Sequence, residues 1–182
     1  FPEGLRTSND VDLLVAGRDI TPLSKRLVDG GFRQGYLRNG QFFPAGREEI
    51  LSARLNRGET VPFVRETGER AMPFLEVDIN FSLDYKAKQE RNAVEAMLLH
   101  TVSSPEAAGL RILDPARFLI DLCAHLYKDA TTKSWVDMGR DQGLYKYADL
   151  YFLLCRGTVD IETLIKAVVE LGQERACTYA LS

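Results

Sequence analysis

Close to the start of this 182-residue chain stands the run Arg6-Thr7-Ser8-Asn9-Asp10-Val11-Asp12-Leu13-Leu14-Val15. Residues 11–15 are mostly apolar and partly β-branched, which predicts a buried strand. Asp10 and Asp12 stand at its entrance and, being two residues apart, point to the same face. Neighbouring carboxylates repel each other and resist burial, a conflict that a hard divalent cation such as Mg²⁺ removes. In the simpler alternative, Asp10 caps a turn and Asp12 faces water.

A second candidate strand carries more acidic residues. Apolar and polar side chains alternate along residues 74–81, which predicts one apolar face and one face bearing Glu76, Asp78 and Asn80. If this strand lies beside the first, Asp78 completes a set of three carboxylates with Asp10 and Asp12. Such a set is suited to holding two metal ions on a nucleoside triphosphate.

These motifs resemble the nucleotidyltransferase superfamily typified by DNA polymerase β. The matching residues are Gly4-Leu5-Arg6, residues 10–15 and Val77-Asp78-Ile79-Asn80, and the nearest group within the superfamily is the bacterial "uncharacterised nucleotidyltransferase" family. The resemblance implies transfer of a nucleoside monophosphate from a nucleoside triphosphate such as ATP, with Mg²⁺ or Mn²⁺ as cofactor. It implies that Asp10, Asp12 and Asp78 are the catalytic, metal-binding residues.

The resemblance also implies a nucleotide-binding set. Asp10 and Asp12 would bridge the metals and the triphosphate, and Arg6 and Ser8 would contact phosphate oxygens, Arg6 through charge-assisted hydrogen bonds. Lys128 is assigned to the same set. Superfamily members usually have a helix and a glycine-containing phosphate-binding turn before the first carboxylate strand. Because that strand begins so close to the first residue here, we expect the domain to lack its N-terminal helix.

On the acceptor side, Asp78 would hold the ion that activates the acceptor hydroxyl. The expected acceptor-side residues are Glu76, His125 and Asp149, with Glu76 also the alternative third carboxylate. The family often has His two positions after the third carboxylate, where this chain has Asn80, so no role is carried over to that position.

The net charge, the cysteine spacing and the hydropathy of the sequence exclude several classes of protein. The formal net charge of −3 argues against a general nucleic-acid binder, which usually presents a basic face. The three cysteines, Cys123, Cys155 and Cys177, form no Cys-x-x-Cys pair, which favours reduced thiols over a zinc ribbon or a disulfide framework. With neither a signal peptide nor a membrane span evident in the sequence, we expect a cytoplasmic protein.

The hydrophobic period changes near Asp84 from two to about three and a half. The sequence therefore predicts an α/β (α+β) fold, with a nucleotidyltransferase domain over residues 1–84 and a helical domain over residues 85–182 packing on it. In the first domain we expect a helix from Thr21-Pro22 to Gly30-Gly31 and hairpins turning at Asn39-Gly40 and Thr67-Gly68. Residues 47–57 fit either a short helix or a loop.

The second half is predicted to be mainly helical. An amphipathic helix is expected within residues 86–100, and another after Asp114-Pro115 with Phe118, Leu122 and Leu126 inward. We expect a loop over residues 131–143 and two final helices near 144–156 and 159–172, the last with Ile161, Leu164, Ile165 and Val168 inward. His125 shares a different stripe with Asp121 and Lys128, although a lone histidine on a helix is usually structural.

Three functions follow from the sequence. The first is nucleotidyl transfer to a small molecule, with a nucleoside triphosphate and an unidentified acceptor as partners. The second has tRNA or a protein as acceptor, as in a toxin-like or modifying enzyme. The third is a relative that binds a nucleotide without catalysis, which loss of any one of the three carboxylates would favour.

Overall fold

The computed structural model describes residues 10–84, 93–105, 107–137, 139 and 143–182. The chain divides between residues 89 and 90 into two compact units, called unit 1 and unit 2. Unit 1 holds a mixed sheet with two helices, and unit 2 is mainly helical, so the predicted mixed α+β fold is confirmed. The boundary predicted between residues 84 and 85 and the packing of one domain on the other stay predictions.

The described residues of unit 1 form five strands and two α-helices. In chain order they are β1 (Asp10–Leu14), α1 (Ile20–Asp29), β2 (Arg33–Arg38), β3 (Gln41–Pro44), α2 (Arg47–Asn56), β4 (Phe63–Glu69) and β5 (Met72–Asn80). The strand order is β1-β5-β4-β2-β3, with β1 parallel to β5 and the other pairs antiparallel. Residues 47–56 are therefore helical, which decides between the two alternatives predicted there.

One face of this sheet forms the core of unit 1. Phe32, Phe63, Val77 and Ile79 are buried together, and partly buried apolar residues from β1, β5 and α1 pack against them: Leu13, Val15, Leu23, Leu27 and Leu75. The apolar face predicted for residues 74–81 is thus the core face of β5. Its polar positions project from the other side of the sheet, because successive side chains of a strand alternate.

Two local predictions for unit 1 are corrected. The strand at β1 is not buried throughout: Val11 is 44% exposed, because among the described strands β1 lies at the edge of the sheet. The second hairpin reverses direction after Glu69, which pairs with Met72, and the register shifts between Glu66 and Glu69. Thr67-Gly68 is therefore a bulge in β4. The turn at Asn39-Gly40 is confirmed, with both residues at positive φ.

In unit 2, the part of the chain that the structure describes contains six helices and one short hairpin. In chain order they are α3 (Ala93–Leu99), β6 (Thr101–Ser103), β7 (Arg111–Leu113), α4 (Pro115–Thr131), α5 (Lys133–Asp137), α6 (Leu144–Cys155), α7 (Ile161–Glu170) and α8 (Glu174–Leu181). Helix α4 is central, since it packs against α5, α6, α7 and α8. Asp114 caps it as predicted, accepting hydrogen bonds from the backbone N–H groups of Ala116 and Arg117.

The structure also corrects details of the helical half. Residues 131–143 are not all loop, because α5 lies within them, and α8 follows the two final helices that were predicted. Phe118 is exposed, and α4 instead buries Leu119, Ile120 and Cys123. Ile161 and Ile165 of α7 are likewise exposed, whereas Leu126 of α4 and Leu164 of α7 are buried as predicted, so each predicted stripe is correct only in part. Among the described residues, no helix combines the length and apolar character needed to cross a membrane.

Candidate active site

Two pairs of acidic residues lie side by side on β1 and β5. The parallel register places Asp10 opposite Glu76 and Asp12 opposite Asp78. Residues paired in register on neighbouring strands project from the same side of a sheet. The intervening residues of β5 belong to the core, so these four carboxylates share the opposite side. We call this set (Asp10, Asp12, Glu76 and Asp78) the carboxylate face.

The position of each strand explains how exposed these side chains are. Strand β1 has a described neighbour on one side only, and Asp10 and Asp12 are exposed. Strand β5 lies between β1 and β4, and Glu76 and Asp78 are half-buried. The face therefore combines two accessible carboxylates with two that are partly withdrawn from water.

Asn80 ties the two strands together at the end of β5. Its Nδ2 donates a hydrogen bond to Oδ1 of Asp12 at 3.2 Å, and its backbone carbonyl accepts one from the N–H of Val15 at 2.9 Å. An amide that donates to one carboxylate oxygen fixes the rotation of that group. The chain therefore holds Asp12 through a neutral side chain on the neighbouring strand.

A fifth acidic residue borders the face and is missing from the sequence prediction. Glu59 forms an isolated antiparallel bridge with Asn80, on the side of β5 away from β1. The carbonyl of Gly58 accepts hydrogen bonds from the N–H groups of Phe81 and Ser82, which fixes this segment against the end of β5. The segment shows no strand periodicity, so the sequence carries no pattern that predicts this contact.

The environment of Asp78 raises the pKa of its carboxyl from the ordinary 3.8 to about 7. Burial is the main cause, since a charged carboxylate loses hydration there. The negative charges of Asp12, Glu76, Glu59 and Asp10 raise this pKa further, in that order. Five carboxyl groups therefore interact electrostatically at one site, and a bound cation would offset their repulsion.

The remaining predicted site residues are either outside the described residues or in unit 2. Arg6 and Ser8 are outside the described residues. Lys128 is buried on α4, and Asp149 is half-buried on α6. Both belong to unit 2, as does His125, whereas the carboxylate face belongs to unit 1, and their predicted roles stay predictions.

His125 has a partner that the sequence stripe did not indicate. Its Nε2 lies 4.0 Å from Oδ2 of Asp129, one turn along α4. Lys146 of α6 donates to the same carboxylate oxygen. His125 therefore lies beside the ion pair that Asp129 of α4 forms with Lys146 of α6, and its predicted role toward an acceptor stays a prediction.

The donor set of the carboxylate face fits a hard divalent cation in its chemistry, because all of its charged groups are carboxylates. Among the described residues, however, no group of three or more His, Cys, Asp or Glu side chains forms a cluster that could hold a metal ion. The metal-binding roles of Asp10, Asp12 and Asp78 therefore stay predictions.

Comparison with known proteins gives one match. Neither the curated proteins nor the solved structures contain a match to this chain. A family model described as "Uncharacterised nucleotidyltransferase" matches residues 3–182, nearly the whole sequence. The chain therefore belongs to the uncharacterised nucleotidyltransferase family.

Proposed function

We propose that this protein transfers a nucleoside monophosphate from a nucleoside triphosphate to a hydroxyl group of a small-molecule acceptor. Asp10, Asp12 and Asp78 would hold the divalent cation, Mg²⁺ or Mn²⁺, that the reaction needs. Family membership supports nucleotidyl transfer in general. The observation that carries the finer proposal is the register of β1 and β5, which sets Asp12 beside Asp78 on the same side of the sheet as Asp10.

The chain's contribution to the reaction is positioning and electrostatics. Bound cations supply charge neutralisation on the triphosphate and on the attacking oxygen. Asp10 and Asp12, on an accessible strand, orient the triphosphate, and Asp78 on the neighbouring strand lies where the acceptor hydroxyl would approach. The acceptor oxygen forms a bond to the α-phosphorus, the bond to the β-phosphate breaks, and pyrophosphate leaves. In this proposal the carboxylate of Asp78 accepts the hydroxyl proton.

Further residues enter the proposal through the family resemblance. Arg6, Ser8 and Lys128 would contact the nucleotide, while His125 and Asp149 would lie on the acceptor side. Glu76 shares the carboxylate face, which supports an acceptor-side role beside Asp78. The free cysteines of the described chain support a reducing compartment such as the cytoplasm as the site of the reaction.

The charge of the face supports a small acceptor. Glu76 and Glu59 border the proposed cation-binding residues, and their additional negative charges repel the phosphates of a nucleic acid. The net charge of −3 acts in the same direction. A small neutral or cationic acceptor meets no such repulsion, and we therefore favour it over tRNA.

A label-transfer screen tests the proposal. The full chain is incubated with each α-labelled nucleoside triphosphate, Mg²⁺ or Mn²⁺, and separate pools of metabolites, tRNA and protein, and products are identified by mass spectrometry. We expect label in a metabolite, and a loss of at least about a hundredfold in Asp12→Asn and Asp78→Asn, since two-metal chemistry depends on both carboxylates. Asp29→Asn, an exposed carboxylate at the end of α1, is the control that keeps activity.

Each other outcome contradicts a stated part of the proposal. Label in tRNA or protein would show that the acceptor class is wrong. Transfer that survives in Asp12→Asn and Asp78→Asn would remove the carboxylate face from the mechanism. No transfer with any nucleotide and either metal would contradict catalysis by this chain.

A further inference from the structure

Asn80 occupies a rigid position next to the carboxylate face. Its carbonyl is hydrogen-bonded to Val15 on one side, and its Cα is paired with Glu59 on the other. The residue therefore has neighbours on both sides at the end of β5. Its side chain is half-buried, and its backbone is held by Val15 and Glu59.

Its side chain makes one polar contact that matters for the face. Nδ2 of Asn80 donates to Oδ1 of Asp12 at 3.2 Å, across the parallel pair of strands. The ionised side chains of the carboxylate face and of Glu59 can accept hydrogen bonds but cannot donate them. The neutral amide thus supplies a donor to this face without adding another negative charge.

We propose that Asn80 is a positioning residue for Asp12, holding its carboxylate in the orientation in which it binds a divalent cation; this rests on the proposed function. A carboxylate has two oxygens, and the amide occupies one of them, leaving lone pairs of the group available to a cation. Hydrogen bonds to metal-binding groups orient them, and losing one typically costs about 10–100-fold in metal affinity.

A purely structural role for Asn80 would give a different result. If the amide only joined β1 to β5, its removal would lower the stability of the metal-free protein and leave metal affinity unchanged. The two roles are separated by measuring Mn²⁺ affinity and stability on the same variants.

The test is a double-mutant cycle read by Mn²⁺ binding. Electron paramagnetic resonance titration of the full chain gives the Mn²⁺ affinity of wild type, Asn80→Leu, Asp12→Asn and the double variant, without nucleotide. We expect Asn80→Leu to weaken Mn²⁺ binding by about tenfold or more in the wild-type background. In the Asp12→Asn background the same change should have little further effect, because Asn80 acts through Asp12.

Asn80→Ala, which removes the amide without adding bulk, provides a second variant if Asn80→Leu does not fold. An unchanged Mn²⁺ affinity in a folded Asn80 variant would overturn the inference, and so would an equal loss in both backgrounds. The proposed function can fail separately, namely if wild type binds Mn²⁺ and shows the Asn80–Asp12 coupling but transfers no nucleotide. Absence of Mn²⁺ binding by wild type would overturn the inference, whereas the proposed function is tested separately by the label-transfer screen.

Discussion

Asp12 and Asp78 are direct neighbours in the register of two parallel strands, 66 positions apart in sequence, and on the same side of the sheet. Asp78 is half-buried there, and the pKa of its carboxyl rises to about 7. The sheet therefore holds like charges together, which lowers the stability of the fold. A protein with a purely structural role has no reason to keep such an arrangement. Such conflicts are typical of functional sites, where local rules are broken for chemistry.

This conflict predicts how stability depends on pH. The pKa of Asp78 is higher in the folded protein, about 7, than the ordinary 3.8 expected when unfolded. Between these values the folded state keeps a proton that the unfolded state has lost, so the contribution of Asp78 to stability decreases as pH rises. The penalty is absent below about pH 4 and complete above about pH 7.

Asp78→Asn removes this penalty. In EDTA we expect the variant to be more stable than wild type at about pH 8, by on the order of 1–3 kcal/mol after allowing for partial exposure, and equal to it near pH 4. Urea unfolding at both pH values measures the difference. A gain that is the same at both pH values would show that Asp78 is not the group responsible.

The contact between Gly58 and the end of β5 predicts a second effect. A Cβ at this position would collide with the backbone carbonyl of Asp84 and lie 2.6 Å from Cβ of Ser82. Gly58→Ala should therefore cost about 1–3 kcal/mol through overpacking, and should displace the neighbouring Glu59. Gly17→Ala is the matched control, because a Cβ there would meet nothing within 4 Å. Equal stability of the two variants in urea would contradict the close approach.

In unit 2, the start of α4 depends on Asp114. It caps the helix, and its Oδ2 also lies 2.9 Å from Nη1 of the buried Arg117. Asp114→Ala should cost on the order of 1–3 kcal/mol, because it removes the cap and one partner of a buried charge. Asp160→Ala, which removes the exposed cap of α7, should cost less. Urea unfolding followed by circular dichroism compares them, and a larger loss for Asp160→Ala would contradict this ranking.

Much of the carboxylate face could be predicted because it depends on short-range patterns. The alternation of apolar and polar residues along residues 74–81 predicted that Glu76, Asp78 and Asn80 lie on one side of the sheet. The apolar, β-branched run after Asp10 predicted the strand β1. The parallel register between them is a contact distant in sequence that these patterns did not predict, and the family resemblance implied only that Asp10, Asp12 and Asp78 act together. Glu59 was missed because a single bridge leaves no periodic signal.

The helical half was harder to predict at the level of residues. In α4, Phe118 was expected to be buried and is exposed. The reason is that α4 packs against four helices, α5 to α8, so its buried surface is wider than a single apolar stripe. Helix α8 was missed, since it is short and follows directly after α7. Which face of a helix is buried depends on its neighbours, and these were not known from the sequence.

The most direct test of the central claim is the melting temperature of wild type and Asp12→Asn with Mg²⁺ or Mn²⁺ and each nucleoside triphosphate. A ligand at a hundredfold excess over its dissociation constant stabilises the folded state by roughly 2.7 kcal/mol, or about 2–4 °C for a chain of this size. We predict this shift for wild type and for the Asp29→Asn control, and its loss in Asp12→Asn, which should stay folded without ligand. No shift in wild type with any nucleotide and either metal, or the same shift in Asp12→Asn, would contradict the account.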